Sequence, residues 1–231
     1  VRVVEYSLVG QGVQAKLGGP NGLDIDRSDF AFVYAKEKAG NRSWIASRGG
    51  IHEASVAGYM LTDIEVADWS INRAVGSPPD AVTIDWSKPK TFDLSDSISY
   101  LIDQVGDVFS ASVLGTVNIH GTSLSGAMDL TYSYSEDSWV IDFDDLRLVV
   151  AAAGVAVSLS QGTGQLRIDG NRRISGTVSG SLSISGVDGL TLAAQGSVIF
   201  PIDTSDLVIS ANGVVVIDGF ATLMGNFAIE K

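Results

Sequence analysis

The side chains in this chain that could do chemistry are few and poorly grouped. Its two histidines, His52 and His120, lie in different segments, and neither has the HExxH spacing that presents two imidazoles to zinc. His120 falls on the face opposite Val117 and Ile119, which reads as a solvent-facing strand residue. Serine is plentiful, yet no GxSxG elbow occurs, and "GTSLSG" (121–126) reads as a turn between strands. "GTG" at 162–164 is not followed by a helical pattern, so it does not form a phosphate cradle.

Carboxylate pairs remain. Glycoside hydrolysis needs only two acids, but spacing alone does not identify such a pair. Asp24 with Asp26, and Asp142 with Asp144, stand at alternate positions and project from one face of a strand. Clustered oxygens suit a hard cation, so calcium is the ion these residues would take. Neither the EF-hand loop nor the GGxGxD nonapeptide is present, and an acidic solvated face accounts for the same residues. The sequence therefore assigns no catalytic residue, no cofactor and no metal ligand. Trp44, Trp69, Trp86 and Trp139 would serve a sugar platform if exposed; packing is the commoner fate of such rings. "NRS" at 41–43 fits the glycosylation triplet but is short enough to occur by chance.

The elements that position these residues are strands. In 180–198 Leu182 and Ile184 alternate with Ser181, Ser183 and Ser185, and Val155, Val157 and Leu159 alternate in the same way. A period of two puts one set inward and the other in water. Gly, Asn and Asp cut these runs into short segments. One stretch departs from the pattern. Ile98, Leu101, Ile102 and Val105 follow i, i+3, i+4, i+7 spacing, with Ser95 to cap and Asp96 in the first turn; this predicts a short helix near 95–106, ending by Gly106.

Composition excludes several classes. The chain has 231 residues, 45% of them apolar, enough to bury a core. Its formal net charge of −12 repels a phosphate backbone or an anionic membrane surface, so the reading includes no nucleic-acid partner. No apolar run reaches the roughly 18 residues of a spanning helix, so no membrane insertion is expected. The absence of cysteine removes disulfides and thiolate chemistry and suits an exported chain. The first residue is not Met and is already in an alternating pattern, which reads as a piece of a longer protein.

The chain also echoes itself. "GTVNIHGTSLSGAMDL" (115–130) returns as "GVVVIDGFATLMGNFAI" (213–229), with Gly115, Val117, Ile119 and Gly121 matching Gly213, Val215, Ile217 and Gly219. Upstream, 109–115 matches 207–213, 55–71 resembles 183–200 through Gly58 and Gly186, and 29–50 stands where the second half has 164–180. The expected organisation is two related β units, 1–135 and 136–231, the first with an insertion near 75–105. Such units stack, each covering a face its neighbour leaves open.

"SINRA" (70–74), "VTIDWS" (82–87), "GSLSISGVDGLTLAAQGSV" (180–198) and "DGFATLMGNFAIEK" (218–231) together resemble the repeat unit of giant multi-repeat bacterial surface or secreted exoproteins. The second half has no counterpart of "IDWS". The resemblance implies a structural or adhesive element of an extracellular filament or surface assembly, with no catalytic residues to carry over. The expected fold is all-β, an elongated antiparallel array, solenoid or sandwich. The expected function is a non-enzymatic module whose partners are neighbouring copies of the same repeat, as a homo-oligomer or fibre. The alternative is a lipid-carrying β-groove. A packed core would bury Leu182, Ile184, Val215 and Ile217 against protein; a groove would leave them lining a cavity.

Overall fold

The structure, a computed structural model, describes residues 2–17, 22–56, 58–75, 83–95, 98–104, 106, 108–119, 122–133, 136–152, 155–201 and 207–230. It is all-β and antiparallel. Twelve strands form one meander in which chain neighbours are sheet neighbours. They are β1 (Val3–Leu17), β2 (Leu23–Glu37), β3 (Ser43–Val56), β4 (Tyr59–Val75), β7 (Val108–Ile119), β8 (Thr122–Ser133), β9 (Ser138–Ala152), β10 (Val155–Ile168), β11 (Ile174–Ser185), β12 (Leu190–Phe200), β13 (Val208–Ile217) and β14 (Ala221–Glu230). Between β4 and β7 the chain makes a separate hairpin, β5 (Lys90–Ser95) and β6 (Ile98–Ile102). The division expected near 135/136 falls between β8 and β9, and the 75–105 insertion contains β5 and β6.

The expected helix at 95–106 is not formed. Ile98–Ile102 is strand β6, with Ser95 paired to Ile98. Asp96 and Val105 lie outside the described residues. The helical spacing concealed a period of two that runs on past the strand: Tyr100, Ile102 and Gln104 turn inward, while Ser99, Leu101 and Asp103 are exposed. Burial decides the outcome. Ile102 is sealed with Val33, Ala46 and Trp86 in a small core between the hairpin and the outer face of β2 and β3, and a β-branched residue suits that pleated surface. "GTSLSG" is likewise strand from Thr122 onward rather than turn.

The main core lies on the other, inner face of the meander. Leu23 and Ile25 of β2, Trp69 of β4, Val117 of β7, Leu124 of β8, Ile141 of β9, Leu182 of β11 and Ile209 of β13 belong to one cluster of buried side chains. With no helix among the described residues, a sheet can bury one face only against itself. Strand twist provides the means. At about 20–25° per step, the four steps from β4 to β10 rotate the strands by roughly 80–100°. The contacts agree with such a fold-back: Tyr59 Oη, at the start of β4, donates to the carbonyl of Arg172 in the β10–β11 turn at 3.3 Å. Irregularities in register line up across the sheet, in β1 between Gly10 and Val13, β2 near Arg27, β3 and β4 opposite 51–53, β8 at Gly126, β9 at Asp145 and β10 at Gln161. Bulges raise local twist, so this line is the bend about which the sheet curls.

At the middle of the meander Phe109, Tyr132 and Trp139 pack as an aromatic triad, with ring centroids 5.1–5.6 Å apart. Tyr132 Oη donates to Asp137 Oδ1 at 2.5 Å, so the buried ring keeps a partner for its hydroxyl. Trp139→Ala should therefore lower unfolding stability by about 3–5 kcal/mol, read from the urea midpoint at unchanged slope; a loss below about 1 kcal/mol would show that the triad does not hold the two halves of the sheet together.

Candidate functional site

Two features stand apart from the packed sheet: a polar cluster where the insertion docks, and the free edges of the meander. The insertion is fastened by one side chain. Asn72 is fully buried on β4, and its amide donates to the carbonyls of Ile84 and Gly106 at 2.8 Å and of Gln104 at 3.3 Å, while its Oδ1 accepts Trp86 Nε1–H at 3.2 Å. "SINRA" and "VTIDWS", two of the stretches that carry the resemblance, thus meet in one hydrogen-bonded knot.

Beside this knot the outer face gathers charge. Asp29, nearly buried, accepts the Gly12 N–H at 2.7 Å through Oδ1, and its Oδ2 lies 3.5 Å from His52 Nε2. Tyr100 of β6 accepts the Gly50 N–H at 2.9 Å. Burial of the phenol, opposed by that N–H and reinforced by the charges of Asp29 and Asp68, pushes the Tyr100 hydroxyl above its ordinary range. Arg48 reaches Asp103 at 3.4 Å and Asp68 at 3.7 Å, and Lys90 pairs with Glu5. The cluster ties β6 and β5 to β1, β3 and β4. A carboxylate beside an imidazole could orient a general base, but each remaining group here already has a structural partner. Among the described residues no three His, Cys, Asp or Glu side chains come together as a metal site would require.

The residues weighed from sequence are dispersed. Asp24 pairs with Lys16 at 2.8 Å and Asp26 is exposed. Asp142 accepts Gln165 Nε2 at 2.8 Å, and Asp144 accepts the Asp145 N–H at 3.0 Å. His120 lies outside the described residues. All four tryptophans are buried, Trp69 donating to Ser28 Oγ at 3.0 Å, and Asn41 is exposed in the β2–β3 turn. The knot and the Asp29 cluster went unrecognised because their members lie as much as 85 positions apart, and only strand register and the docked hairpin bring them together.

The edges are the second feature. β1 and β14 each pair on one side only. Natural edge strands are guarded by Lys, Pro or inward charge, whereas β14, "ATLMGNFAIE", has neither Lys nor Pro. Tyr6 and Leu8 on β1 and Leu223 on β14 lie on the inner face yet are exposed. On the outer face Ser181, Gln195, Asn212 and Asn226 form a polar row leading to the free edge, with Gln195 donating to Ser181 at 2.9 Å and Asn212 to Asn226 at 2.6 Å. Next to this row is an open-sided depression of about 580 Å³ lined by Ser197, Ser210 and Phe227 among others.

Two turns carry the same charged clamp. Arg42 grips Glu37 through Nε and NH2 at 2.9 and 2.8 Å in the β2–β3 turn, and Arg173 grips Asp169 through Nε at 2.8 Å in the β10–β11 turn. Partial burial works to raise the Asp169 carboxyl, but the Arg173 N–H and guanidinium and the Asn171 N–H outweigh it and hold it below the usual range. A depressed carboxyl contributes stability above its unfolded pKa and loses it as pH falls through the folded value.

Two outcomes follow from these contacts. Asn72→Ala should cost about 2–4 kcal/mol, since it leaves buried carbonyls and the indole N–H unpaired, and should shift Trp86 emission to the red as the insertion loosens. In NMR titrations Asp169 should show a pKa below that of a model aspartate, and Asp169→Asn should lower stability at neutral pH by an amount that shrinks as pH falls below about 4, where the wild-type carboxyl protonates. No family model, curated protein or solved structure matches this chain.

Proposed function

We propose that the chain is a non-enzymatic structural or adhesive module of a large extracellular bacterial protein, which joins other copies of itself into a fibre or surface assembly. The observation that carries this reading is the pair of free sheet edges with exposed apolar residues, Tyr6 and Leu8 on β1, which also carries Lys16 and a bulge, and Leu223 on β14, which has neither Lys nor Pro. An edge of this kind is a template for strand addition.

An internal repeat supports it. Each half, 1–135 and 136–231, contributes six consecutive strands to the meander. The β2–β3 and β10–β11 turns share "GNR", at Gly40–Arg42 and Gly170–Arg172, and each holds a carboxylate–arginine clamp, made by Arg42 of the triplet in the first and by Arg173, the residue after it, in the second. Gly58, in the β3–β4 connection, and Gly186, in the β11–β12 connection, share a positive φ of 85 and 86. Gly115 faces Gly126 as Gly213 faces Gly225. The insertion β5–β6 and its knot belong to the first half alone. Net negative charge and the lack of cysteine are in keeping with an exported module. Of the four residues that separate a packed core from a groove, Leu182 is buried and Ile184 and Val215 are half-buried against the core cluster, which favours packing, while Ile217 is half-buried outside it.

Sedimentation velocity and native mass spectrometry over a concentration series, reaching about 1 mM, test the reading. The expected result is a ladder of protein-only species that grows with concentration. A chain that stays monomeric throughout would refute the module, and retained lipid masses would replace it with the groove.

A further inference from the structure

The molecule contains an internal model of the joint it lacks at its ends. β14 repeats β8 in register: Gly213 pairs with Gly225, Val215 with Leu223 and Ala211 with Phe227, as Gly115 pairs with Gly126, Val117 with Leu124 and Val113 with Met128. Gly225 and Gly126 also share an unusual backbone, φ 148 and 152. β1 in turn repeats β9. Each has a bulge with a residue at positive φ, Gly12 (φ 63) and Asp145 (φ 50), flanked by Gly10 and Val13 in β1 and by Phe143 and Leu146 in β9. Aligned on the bulge, Tyr6, Leu8 and Ala15 correspond to Trp139, Ile141 and Leu148, apolar throughout.

Burial separates the two sets. Trp139, Ile141 and Leu124, at the β8–β9 joint, are 1%, 0% and 0% exposed, whereas Tyr6, Leu8 and Leu223 at the edges are 62%, 59% and 47% exposed. Residues of the same character are sealed where a neighbouring strand covers them and open where none does.

We infer that β14 of one chain pairs antiparallel with β1 of a second copy, in the register that β8 makes with β9. Transferring Leu124–Leu148, Met128–Phe143 and Asp129–Asp142 puts Leu223 opposite Ala15, Phe227 opposite Gly10 and Ala228 opposite Val9 of the second copy. Phe227 then comes opposite Gly10, where the Phe30 ring already fills the place of a side chain on the inner face, so Phe227 would abut that ring. Asn226 comes opposite Gln11, which extends the polar row across the joint. The contact is head-to-tail, so each addition exposes a fresh edge and growth stays open-ended. This inference rests on the module reading above and specifies its interface.

The absence of cysteine makes introduced thiols unique. Val9→Cys and Ala228→Cys, both on exposed outer positions, are prepared as separate chains, mixed at high concentration and oxidised. The expected product is a covalent dimer containing one chain of each kind, with little dimer from either alone. Thr222→Cys moves the thiol six residues, roughly 20 Å along the strand, and should cross-link with Val9→Cys at least about tenfold less, because disulfides demand close Cβ atoms. Efficient dimers of Val9→Cys alone or Ala228→Cys alone would overturn the pairing in favour of a two-fold joint. Equal cross-linking from Thr222→Cys would overturn the register. Failure of the mixed pair to cross-link, while the wild-type chain still forms a concentration-dependent ladder, would overturn the interface and leave the module standing; a wild-type chain that is monomeric throughout would remove both.

Discussion

Everything in this structure depends on a single difficulty: twelve strands share one apolar face, and among the described residues nothing but the sheet itself covers it. A flat meander would leave Leu124, Ile141 and Leu182 in water. Twist and the line of bulges from Gly12 through Gly126 and Asp145 to Gln161 turn the meander back over its own inner face. Glycine is needed where that line is tightest. At Gly126, with φ 152, a side chain would press on the Asp144 and Asp145 carbonyls of the neighbouring strand. The local backbone chemistry and the global wrap are thus one constraint seen at two scales.

The outer face is handled differently. Over most of the sheet it is covered with Ser, Thr, Asn, Gln and Asp that bond across strands, as Ser112 does to Asp129 and Gln195 to Ser181. Over β2, β3 and β4 it is apolar at Val33 and Ala46, and there the hairpin insertion acts as a lid. Asn72 makes this arrangement specific. An apolar residue at that position could still bury Trp86, but it could not fix three backbone carbonyls and an indole at once, so the knot sets the register of the insertion as well as its stability.

Strands, turns and the inward set of apolar residues were legible in the sequence because a period of two directly records which face is buried. The misread helix shows the limit of that rule. Over five residues, Ile98, Leu101 and Ile102 satisfy both a helical spacing and half of a strand alternation, and the deciding fact is tertiary: the small core of Val33, Ala46 and Trp86 that accepts Ile102. The polar cluster was hidden for a related reason. Asp29, His52 and Tyr100 have no local pattern, and their proximity follows from β2, β3 and the docked hairpin. Acidic pairs such as Asp142 and Asp144 were legible as a surface, but spacing could not reveal that Gln165 already engages one of them.

The contrast between sealed and open apolar residues also bears on strength. Tyr6, Leu8 and Leu223 are already about half covered, so sealing them would gain only about 1–2 kcal/mol each by area, and ladder hydrogen bonds would add about 1 kcal/mol apiece. Association opposes this with a cost of roughly 4–15 kcal/mol in translational and rotational freedom. The balance for free chains is therefore modest and concentration-dependent. Linking copies in one polypeptide changes the arithmetic without changing a contact, since a short tether supplies an effective concentration in the millimolar range. In the β8–β9 pair, apolar residues at positions matching those edges are covered by a neighbouring strand, and Trp139 and Ile141 are buried completely. Under the proposed module, an edge too weak to aggregate freely, yet strong when its partner is held close, would meet both demands on a strand that joins others in an array.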